Sequence, residues 1–457
     1  MGFVLSIIYF VTYYLTSPVL FGPLAVARVE LILAILLFFV SLPKLAGSII
    51  LKTPQSIALI GLAFAGSFSV LFGGHWAWGA VQAFPAFVPC AFAYFLVCLH
   101  CNSKKKLQAI VFALLFVCLF VIVHGYIDLL RGVTEIADPA LWNIEHPYLF
   151  AMRNDAGETF YRLRGLGFIN DPNDFGQLAV CVIPLAFIFW KPKRTLRNIA
   201  IVAFPVCVLL FGTYMTHSRG ALLALMAMLL VAARRRIGTL PALLLAGGVF
   251  VAAMALHFTG GRDISADAGS DRTELWSNGL QILKSHPLFG SGLGSMPDLT
   301  DSHRTAHNSV VVCAAELGLA GLYFWCLFLF PTARNALAIA SPAKVNEVEL
   351  IPSEEGILPG ATRKVETIDK AEVNRLGSLL VLSLTGFLVA GWFLSRAYVL
   401  TFFLLGGVTE VVFEMALQQG MIAPRLRPAR VFSYAGVLTI SLVLLVYVML
   451  RITNLIH

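Results

Sequence analysis

The chain has 457 residues, of which 58% are hydrophobic and 13% are charged, and its formal net charge is +8. A soluble globular domain carries about 25% charged residues, so this composition excludes an ordinary soluble protein. Apolar runs of about 17–25 residues recur along the whole length, as they do in membrane-spanning helices. The predicted fold is therefore all-α, that of a polytopic integral membrane protein.

The predicted spans follow one another along the chain and number about twelve or thirteen. Pro18 and Pro23 interrupt the first pair, and three arginines close the short span that ends at residue 233. The spans are 3–21, 25–42, 56–73, 80–100, 107–127, 173–190, 198–216, 220–233, 237–257, 309–331, 377–394, 398–416 and 432–452.

Basic residues predict which side each loop faces, because cytoplasmic loops of membrane proteins are rich in Lys and Arg. All lysines except Lys284 lie in loops that we therefore predict to be cytoplasmic: 43–55, 101–106, 191–197, 234–236, 332–376 and 417–430. The opposite side receives 128–172, 216–219, 258–308 and 395–396, where nearly all basic residues are arginines. Guanidinium is a planar bidentate donor to phosphate oxygens, so this bias favours a phosphate-linked substrate. GC-rich codon usage is the alternative explanation.

These assignments divide the chain into five segments with two large outward loops and one large inward loop. The inward loop is mixed in charge and rich in Pro and Gly, which indicates a flexible connector without a site. The segments are N-terminal transmembrane helices over 1–127, a first outward loop over 128–172, a core over 173–331 that contains the outward loop 258–308, the inward loop 332–376, and C-terminal transmembrane helices over 377–457.

Metal-ligating patterns are weak in this sequence. All eight cysteines lie in or at the ends of apolar segments, which is typical of small core residues and not of a disulfide framework or a paired metal motif. Asp171 and Asp174 offer a divalent-ion site, but two acids near an Asn are also a common helix start, and we favour that interpretation. No metal and no cofactor is expected.

A histidine lies where a long polar loop meets an apolar helix. His307 precedes Asn308, a good N-cap, and nine residues separate Asn308 from Gly318, which Gly321 follows. Histidine accepts protons near neutral pH, so His307 is a candidate base; the alternative is a polar capping residue. At about 100° per residue both glycines fall on the His307 face, which predicts close helix packing there, and Glu316 falls on the opposite face.

Arginines lie at or shortly before two other predicted helix starts. Arg219 comes after Ser218 at the outward end of two apolar helices, where it either snorkels to lipid headgroups or binds a phosphate. Arg162 and Arg164 precede a Gly-rich turn that enters a helix near Pro172, and backbone N–H groups at such a start favour anions. Both segments are predicted to face the same side as His307.

A further arginine lies in the second outward loop. Residues 271–274 resemble a capping box, which predicts a helix with Arg272 in its first turn. Trp276 follows, and we expect it at headgroup level on a helix that lies along the membrane surface. The helix is predicted to stop by His286.

These motifs resemble the O-antigen ligase and Wzy-type polymerase superfamily over about residues 160–325. The run from His307-Asn308 to Gly318-x-x-Gly321 fits the ligase pattern of His, a small polar residue, nine residues and GxxG. Three further stretches are similar to family sequences: Ser218-Arg219-Gly220, the run from Arg272-Thr273-Glu274-Leu275-Trp276 to Pro287-Leu288-Phe289-Gly290-Ser291-Gly292-Leu293-Gly294, and the run from Arg164-Gly165 to Pro172-Asn173.

The resemblance implies a glycosyltransferase that moves a glycan from undecaprenyl diphosphate to an acceptor hydroxyl, with inversion and without a metal. Arg219 and Arg272 would hold the diphosphate, with Arg164 as a weaker candidate. His307 would act as general base on the acceptor. The residues expected to support the site are Ser218, Asn308, Gly318 and Gly321.

The resemblance also implies a location and partners. The enzyme would span the bacterial inner membrane many times, with its active site on the periplasmic side, among membrane lipids. The donor would be a glycan linked to undecaprenyl diphosphate, and the acceptor would be lipid A core, a growing polysaccharide or a protein hydroxyl. No nucleic acid is expected as a partner.

Two alternatives remain open alongside an O-antigen ligase. A Wzy-type polymerase of the same superfamily would use the same motifs. A polysaccharide or small-solute transporter belongs to another class, favoured by acidic or broken helices in both halves or by an inverted repeat. We find no repeat, and only Glu316, Glu410 and Glu414 lie within or near late apolar segments.

Overall fold

The computed structural model describes residues 1–15, 28–46, 48–132, 146–154, 157–260, 267–341 and 367–456. In this part of the chain nearly all regular structure is helical, and ten helices are long and apolar enough to cross a membrane. The predicted all-α polytopic fold is therefore confirmed, and the chain is a multi-pass membrane protein. Most of the predicted inward connector lies outside the described residues.

The elements follow in chain order, and two short strands, Leu149–Arg153 (β1) and Thr159–Leu163 (β2), interrupt the helices. The α-helices are Gly2–Leu15, Val29–Ala46, Pro54–Phe72, Ala77–Ala83, Val88–His100, Lys104–Leu130, Pro172–Ala186, Thr195–Asn198, Phe204–Met215, Arg219–Ile237, Thr239–Ala255, Asp267–Ser285, Ser309–Ala340, Lys370–Gly391, Leu400–Gln418 and Pro428–Ile456. Ile199–Ala203 is π-helical, and the 3-10 helices are Ile49–Lys52, Phe84–Phe87, Gly167–Ile169, Phe187–Phe189 and Met296–Leu299.

Ten of the predicted spans coincide with the ten helices long enough to cross a membrane. The other three, 3–21, 220–233 and 237–257, coincide with helices that are not among these ten. Two of these are shorter apolar helices, at Gly2–Leu15 and Thr239–Ala255. The third, at Arg219–Ile237, carries an arginine at its start and three more in its last turn.

The described chain forms two compact units, each built from separate stretches of sequence. Unit 1 comprises Met1–Leu42, Ser103–Asp263 and Leu379–Ala390, and unit 2 comprises Pro43–Asn102, Ile264–Ser378 and Gly391–His457. Within unit 2 the helices Pro54–Phe72, Leu400–Gln418 and Pro428–Ile456 pack against Ser309–Ala340. That long helix is therefore the element around which unit 2 is organised.

The helix Ser309–Ala340 is longer than the predicted span at 309–331. Asn308 caps its start as predicted, because the Asn308 Oδ1 accepts the N–H groups of Val310 (2.9 Å) and Val311 (3.1 Å). Pro331 lies inside the helix without ending it. Helical backbone therefore occupies both described ends of the inward loop predicted over 332–376, as far as Ala340 and again from Lys370.

A small antiparallel hairpin lies in the first predicted outward loop. Leu149 on β1 faces Leu163 on β2, and the Asn154 Oδ1 accepts the N–H of Glu158 at 2.8 Å in the turn. The all-α prediction did not include this hairpin. Short runs with alternating apolar residues on either side of an Asn-Asp-Ala-Gly sequence were the signal that could have found it.

Candidate functional site

Arg162 lies at the centre of a cluster of arginines in unit 1. Its side chain is buried, its Nε donates to the Thr216 carbonyl oxygen at 2.8 Å, and its Nη2 donates to the Asn173 Oδ1 at 3.0 Å. One guanidinium therefore ties β2 to the turn that precedes Arg219 and to the start of the helix Pro172–Ala186. The sequence analysis noted Arg162 beside Arg164 but gave it no role, because its role depends on partners that are distant in sequence.

The arginines of this cluster influence one another electrostatically. Burial lowers the pKa of Arg162 to about 10, Asp171 opposes that shift, and the nearby charge of Arg219 adds to it. Burial also lowers the pKa of Arg164, again against the effect of Asp171. Arg162 nevertheless stays charged at neutral pH. Unit 1 thus brings two arginines near the Asp171 carboxylate and a third, Arg219, near Arg162, and this excess of positive charge suits an anion.

One part of the arginine cluster follows a predicted helix start. The Asp171 carboxylate accepts the N–H of Asn173 at 2.7 Å as the N-cap of its helix, so the helix-start interpretation of Asp171 is confirmed. The Arg164 Nε donates to the Pro147 carbonyl oxygen at 3.1 Å. Among the described residues, no group of three or more His, Cys, Asp or Glu side chains is arranged to hold a metal ion.

The turn that carries Arg219 is held from two directions. The Ser218 Oγ accepts the N–H of Ala221 at 3.3 Å, so Ser218 is the N-cap and Arg219 begins the helix. The His217 Nδ1 lies 2.9 Å from the Phe258 carbonyl oxygen, and Arg162 binds Thr216. The hairpin, this turn and the start of the second outward loop therefore meet at one end of unit 1.

In unit 2 the helix that carries Arg272 begins earlier than predicted and ends where it was predicted to end. It runs over Asp267–Ser285, so the expected cap at Asp271 is wrong and Arg272 lies in the second turn. Helical backbone extends through residues 267–270, which leaves Asp271 inside the helix. The helix stops before His286, as predicted.

Trp276 is part of the core of unit 2 and not of a membrane-surface face. Its side chain is 6% exposed, its indole Nε1 donates to the Ala306 carbonyl oxygen at 2.9 Å, and its ring packs edge-on against Trp392 at 5.9 Å. The Arg272 guanidinium lies over the ring of Phe393, 5.6 Å from its centroid. The helix thus presents Arg272 next to the turn Trp392–Arg396.

His307 contacts the same turn, Trp392–Arg396. Its side chain is exposed and its backbone is left-handed, with φ of 47°. The His307 N–H donates to the Ser395 Oγ at 2.8 Å, and the Ser395 hydroxyl donates to the Thr305 Oγ1 at 2.6 Å. Unit 2 therefore brings Arg272 and His307 to one short turn, at the end of the helix where Asn308 is the cap.

Gly318 interrupts the helix Ser309–Ala340, with φ of 66° and ψ of −168°. The stretch Pro287–Gly294, which we call the glycine segment, binds at this break. The break leaves helical N–H and C=O groups without their usual partners, and the glycine segment satisfies four of them. The hydrogen bonds run from Ser291 N to Ala315 O (3.0 Å), Gly292 N to Glu316 O (3.1 Å), Leu319 N to Pro287 O (2.9 Å) and Ala320 N to Leu288 O (3.0 Å).

The break overturns the packing predicted for Gly318 and Gly321. The two glycines do not form a smooth small-residue face, because the regular rotation per residue ends at Gly318. A Cβ on Gly321 would overlap Leu317 of the same helix. The buried Glu316 carboxylate is hydrogen bonded by the backbone N–H groups of Gly294 and Met296, so it anchors the glycine segment.

Residues 204–326 match the family model described as O-antigen ligase. The match contains Arg219, Arg272, His307 and the glycine segment, whereas Arg164 precedes it. A comparison with curated proteins found no match. The family resemblance inferred from the motifs is confirmed and supports an enzyme in general. The family in general implies a lipid-linked glycan and a polysaccharide acceptor.

Proposed function

From the O-antigen ligase family segment at residues 204–326, we propose that this enzyme is an O-antigen ligase-like glycosyltransferase. It transfers a glycan from undecaprenyl diphosphate to an acceptor hydroxyl on the periplasmic side of the bacterial inner membrane. The observation that carries the proposal is that Arg272 and His307 contact one turn, Arg272 at Phe393 and His307 at Ser395. A phosphate-binding group beside a proton acceptor is what this reaction requires.

The reaction is a direct displacement at the anomeric carbon. His307 takes the proton of the acceptor hydroxyl as its oxygen attacks, and the new C–O bond forms on the face opposite the diphosphate. The bond between the sugar and the diphosphate breaks, and the lipid diphosphate leaves with the electron pair. Arg272, which lies in unit 2 with His307, stabilises the charge that grows on it, and Arg219 and Arg164 stay the candidates that the sequence offers for the same role. One inversion results, and no metal is needed.

A carrier is disfavoured because the acids that would support it have partners. Gln55, Asn335 and Arg425 all donate to the Glu410 carboxylate, and Arg425 also donates to Glu414 at 2.8 Å. Backbone amides bind Glu316. These carboxylates are occupied by structural hydrogen bonds and ion pairs, as expected of buried charges in a membrane domain. A transporter would need acids that bind and release an ion or a solute.

A deletion strain tests the proposal. We expect lipid-linked glycan to accumulate while its final acceptor stays unmodified, and wild type but not His307→Asn to restore transfer. Asparagine tolerates left-handed backbone, so it removes the imidazole with little strain. His303→Asn is the matched control, because His303 is exposed, left-handed (φ 51°) and in the same loop, and it should restore transfer.

The same gels separate the two members of the superfamily. Accumulated long chains indicate a ligase, whereas accumulated single units indicate a Wzy-type polymerase. Transfer by His307→Asn at the wild-type level would contradict the catalytic assignment. Unchanged surface glycans in the deletion strain, with counterflow of solute in proteoliposomes, would support transport instead.

A further inference from the structure

Sequence motifs assign no role to the turn Trp392–Arg396, which connects the helices Lys370–Gly391 and Leu400–Gln418. We propose that this turn positions the base of the reaction, and that Ser395 is the residue that acts on His307. The inference rests on the proposed function, because it takes His307 as the base. Ser395 is a positioning residue, since it contacts His307 and not the reacting atoms.

The Ser395 hydroxyl is itself oriented before it binds His307. It donates to the Thr305 Oγ1 at 2.6 Å, which points its lone pairs away from Thr305 and leaves them to accept the His307 N–H at 2.8 Å. Left-handed backbone is unfavourable for a residue with a Cβ, so His307 needs an external contact to hold φ at 47°. Ser395 supplies that contact.

The turn is fixed to the helix that follows His307. The Ser309 hydroxyl donates to the Leu394 carbonyl oxygen at 2.7 Å and accepts the N–H of Arg396 at 3.2 Å. Ser309 is the first residue of the helix Ser309–Ala340 and is buried. Ser395 therefore holds His307 from a rigid support. A reacting group displaced by about 1 Å loses up to about 100-fold in rate, so such a support matters for catalysis.

The turn also touches the arginine. Phe393 lies two residues before Ser395, and its ring faces the Arg272 guanidinium at 5.6 Å. Neighbouring positions of one turn thus hold two groups with different proposed roles, the base and a donor-binding cation. Changes at the two positions should therefore have different kinetic signatures, which a general loss of folding would not produce.

The test uses the full-length protein in proteoliposomes, with lipid-linked glycan and acceptor lipid extracted from the deletion strain. We expect Ser395→Ala to lower kcat roughly 10- to 100-fold with the donor KM unchanged, and Ser395→Thr to recover most of it. Phe393→Leu should raise the donor KM with a smaller change in kcat. Ser285→Ala is the matched control, because the Ser285 hydroxyl binds carbonyl oxygens of its own helix, and it should behave as wild type.

Three results would overturn the inference. The first is a kcat of Ser395→Ala within about twofold of wild type, and the second is a Ser395→Ala defect that appears as a raised donor KM with kcat unchanged. The third is an equal fall of kcat in Ser395→Ala and Ser395→Thr at unchanged thermal stability. If His307→Asn is inactive while Ser395→Ala is normal, only this inference fails. If His307→Asn transfers normally, the proposed function fails, whatever Ser395→Ala does.

Discussion

Gly290 and Gly318 meet backbone to backbone. A Cβ atom on Gly318 would lie 2.5 Å from the Gly290 nitrogen, and a Cβ on Gly290 would overlap the Glu316 carbonyl group. Both glycines have positive φ, 71° and 66°. The close approach allows the glycine segment to reach the break in the helix, so any side chain at either position pushes the two strands of backbone apart.

Gly318→Ala should destabilise the protein strongly. The new methyl group overlaps the Leu288 carbonyl oxygen, and alanine resists the left-handed backbone, so we expect a loss of about 2 kcal/mol or more. Thermal unfolding of the detergent-solubilised protein measures it. Gly248→Ala is the control, because no described atom lies within 4 Å of a Cβ there. A Gly318→Ala variant as stable as Gly248→Ala would show that the close approach is not required.

Arg219→Lys and Arg272→Lys should each slow glycan transfer about tenfold or more, although the charge is kept. Lysine offers a point charge where a bidentate fork is needed for a diphosphate. Arg236→Lys, at the exposed end of the helix Arg219–Ile237, should transfer normally. Initial rates in proteoliposomes give the comparison. Full activity with lysine at both sites would remove the case for phosphate recognition there.

Arg162→Met should lower the free energy of unfolding, and its effect on glycan transfer should follow from that loss of structure. It leaves the buried Thr216 carbonyl oxygen without this donor, which costs about 1–3 kcal/mol, and it removes the hydrogen bond to the half-buried Asn173 Oδ1. Because the same guanidinium fixes the turn before Arg219, the donor KM should rise in the protein that folds. Thermal unfolding and donor titration test this. An unchanged melting temperature would mean that the hairpin is held by other contacts.

The transfer rate should depend on pH in the sense expected of a neutral base. An imidazole must be unprotonated to accept the acceptor's proton, so the rate should be full at high pH and should fall as the pH is lowered. The pH profile of kcat in proteoliposomes measures it. A profile flat from pH 5 to 8 would argue against any histidine base.

Local signals in the sequence predicted much of the architecture. Hydrophobic runs predicted the spans, and Asn308, Ser218 and Asp171 predicted helix starts that the structure confirms, because capping depends on neighbours in sequence. The glycine spacing after Asn308 was visible, but its meaning was not. A helical period cannot show that Gly318 ends the regular rotation, since the cause is a partner segment about 30 residues earlier.

The contacts that organise the candidate site are harder to predict. Ser395 reaches His307 across 88 positions of sequence, and Arg162 reaches Thr216 across 54. Neither pair belongs to a local pattern. The start of the Arg272 helix was misplaced for a related reason, because a capping-box sequence at 271–274 is also compatible with the interior of a helix.

The nine residues between Asn308 and Gly318 form an uninterrupted piece of helix with a defined contact at each end. Its length is about 14 Å at the usual rise per residue. Ser395 fixes one end and the glycine segment fixes the other. One inserted residue would turn the imidazole by about 100° around the axis relative to the break. The spacing of the motif therefore sets the distance of His307 from the break along the helix axis and its orientation around that axis. An insertion or deletion between Asn308 and Gly318 should be less tolerated than a substitution there.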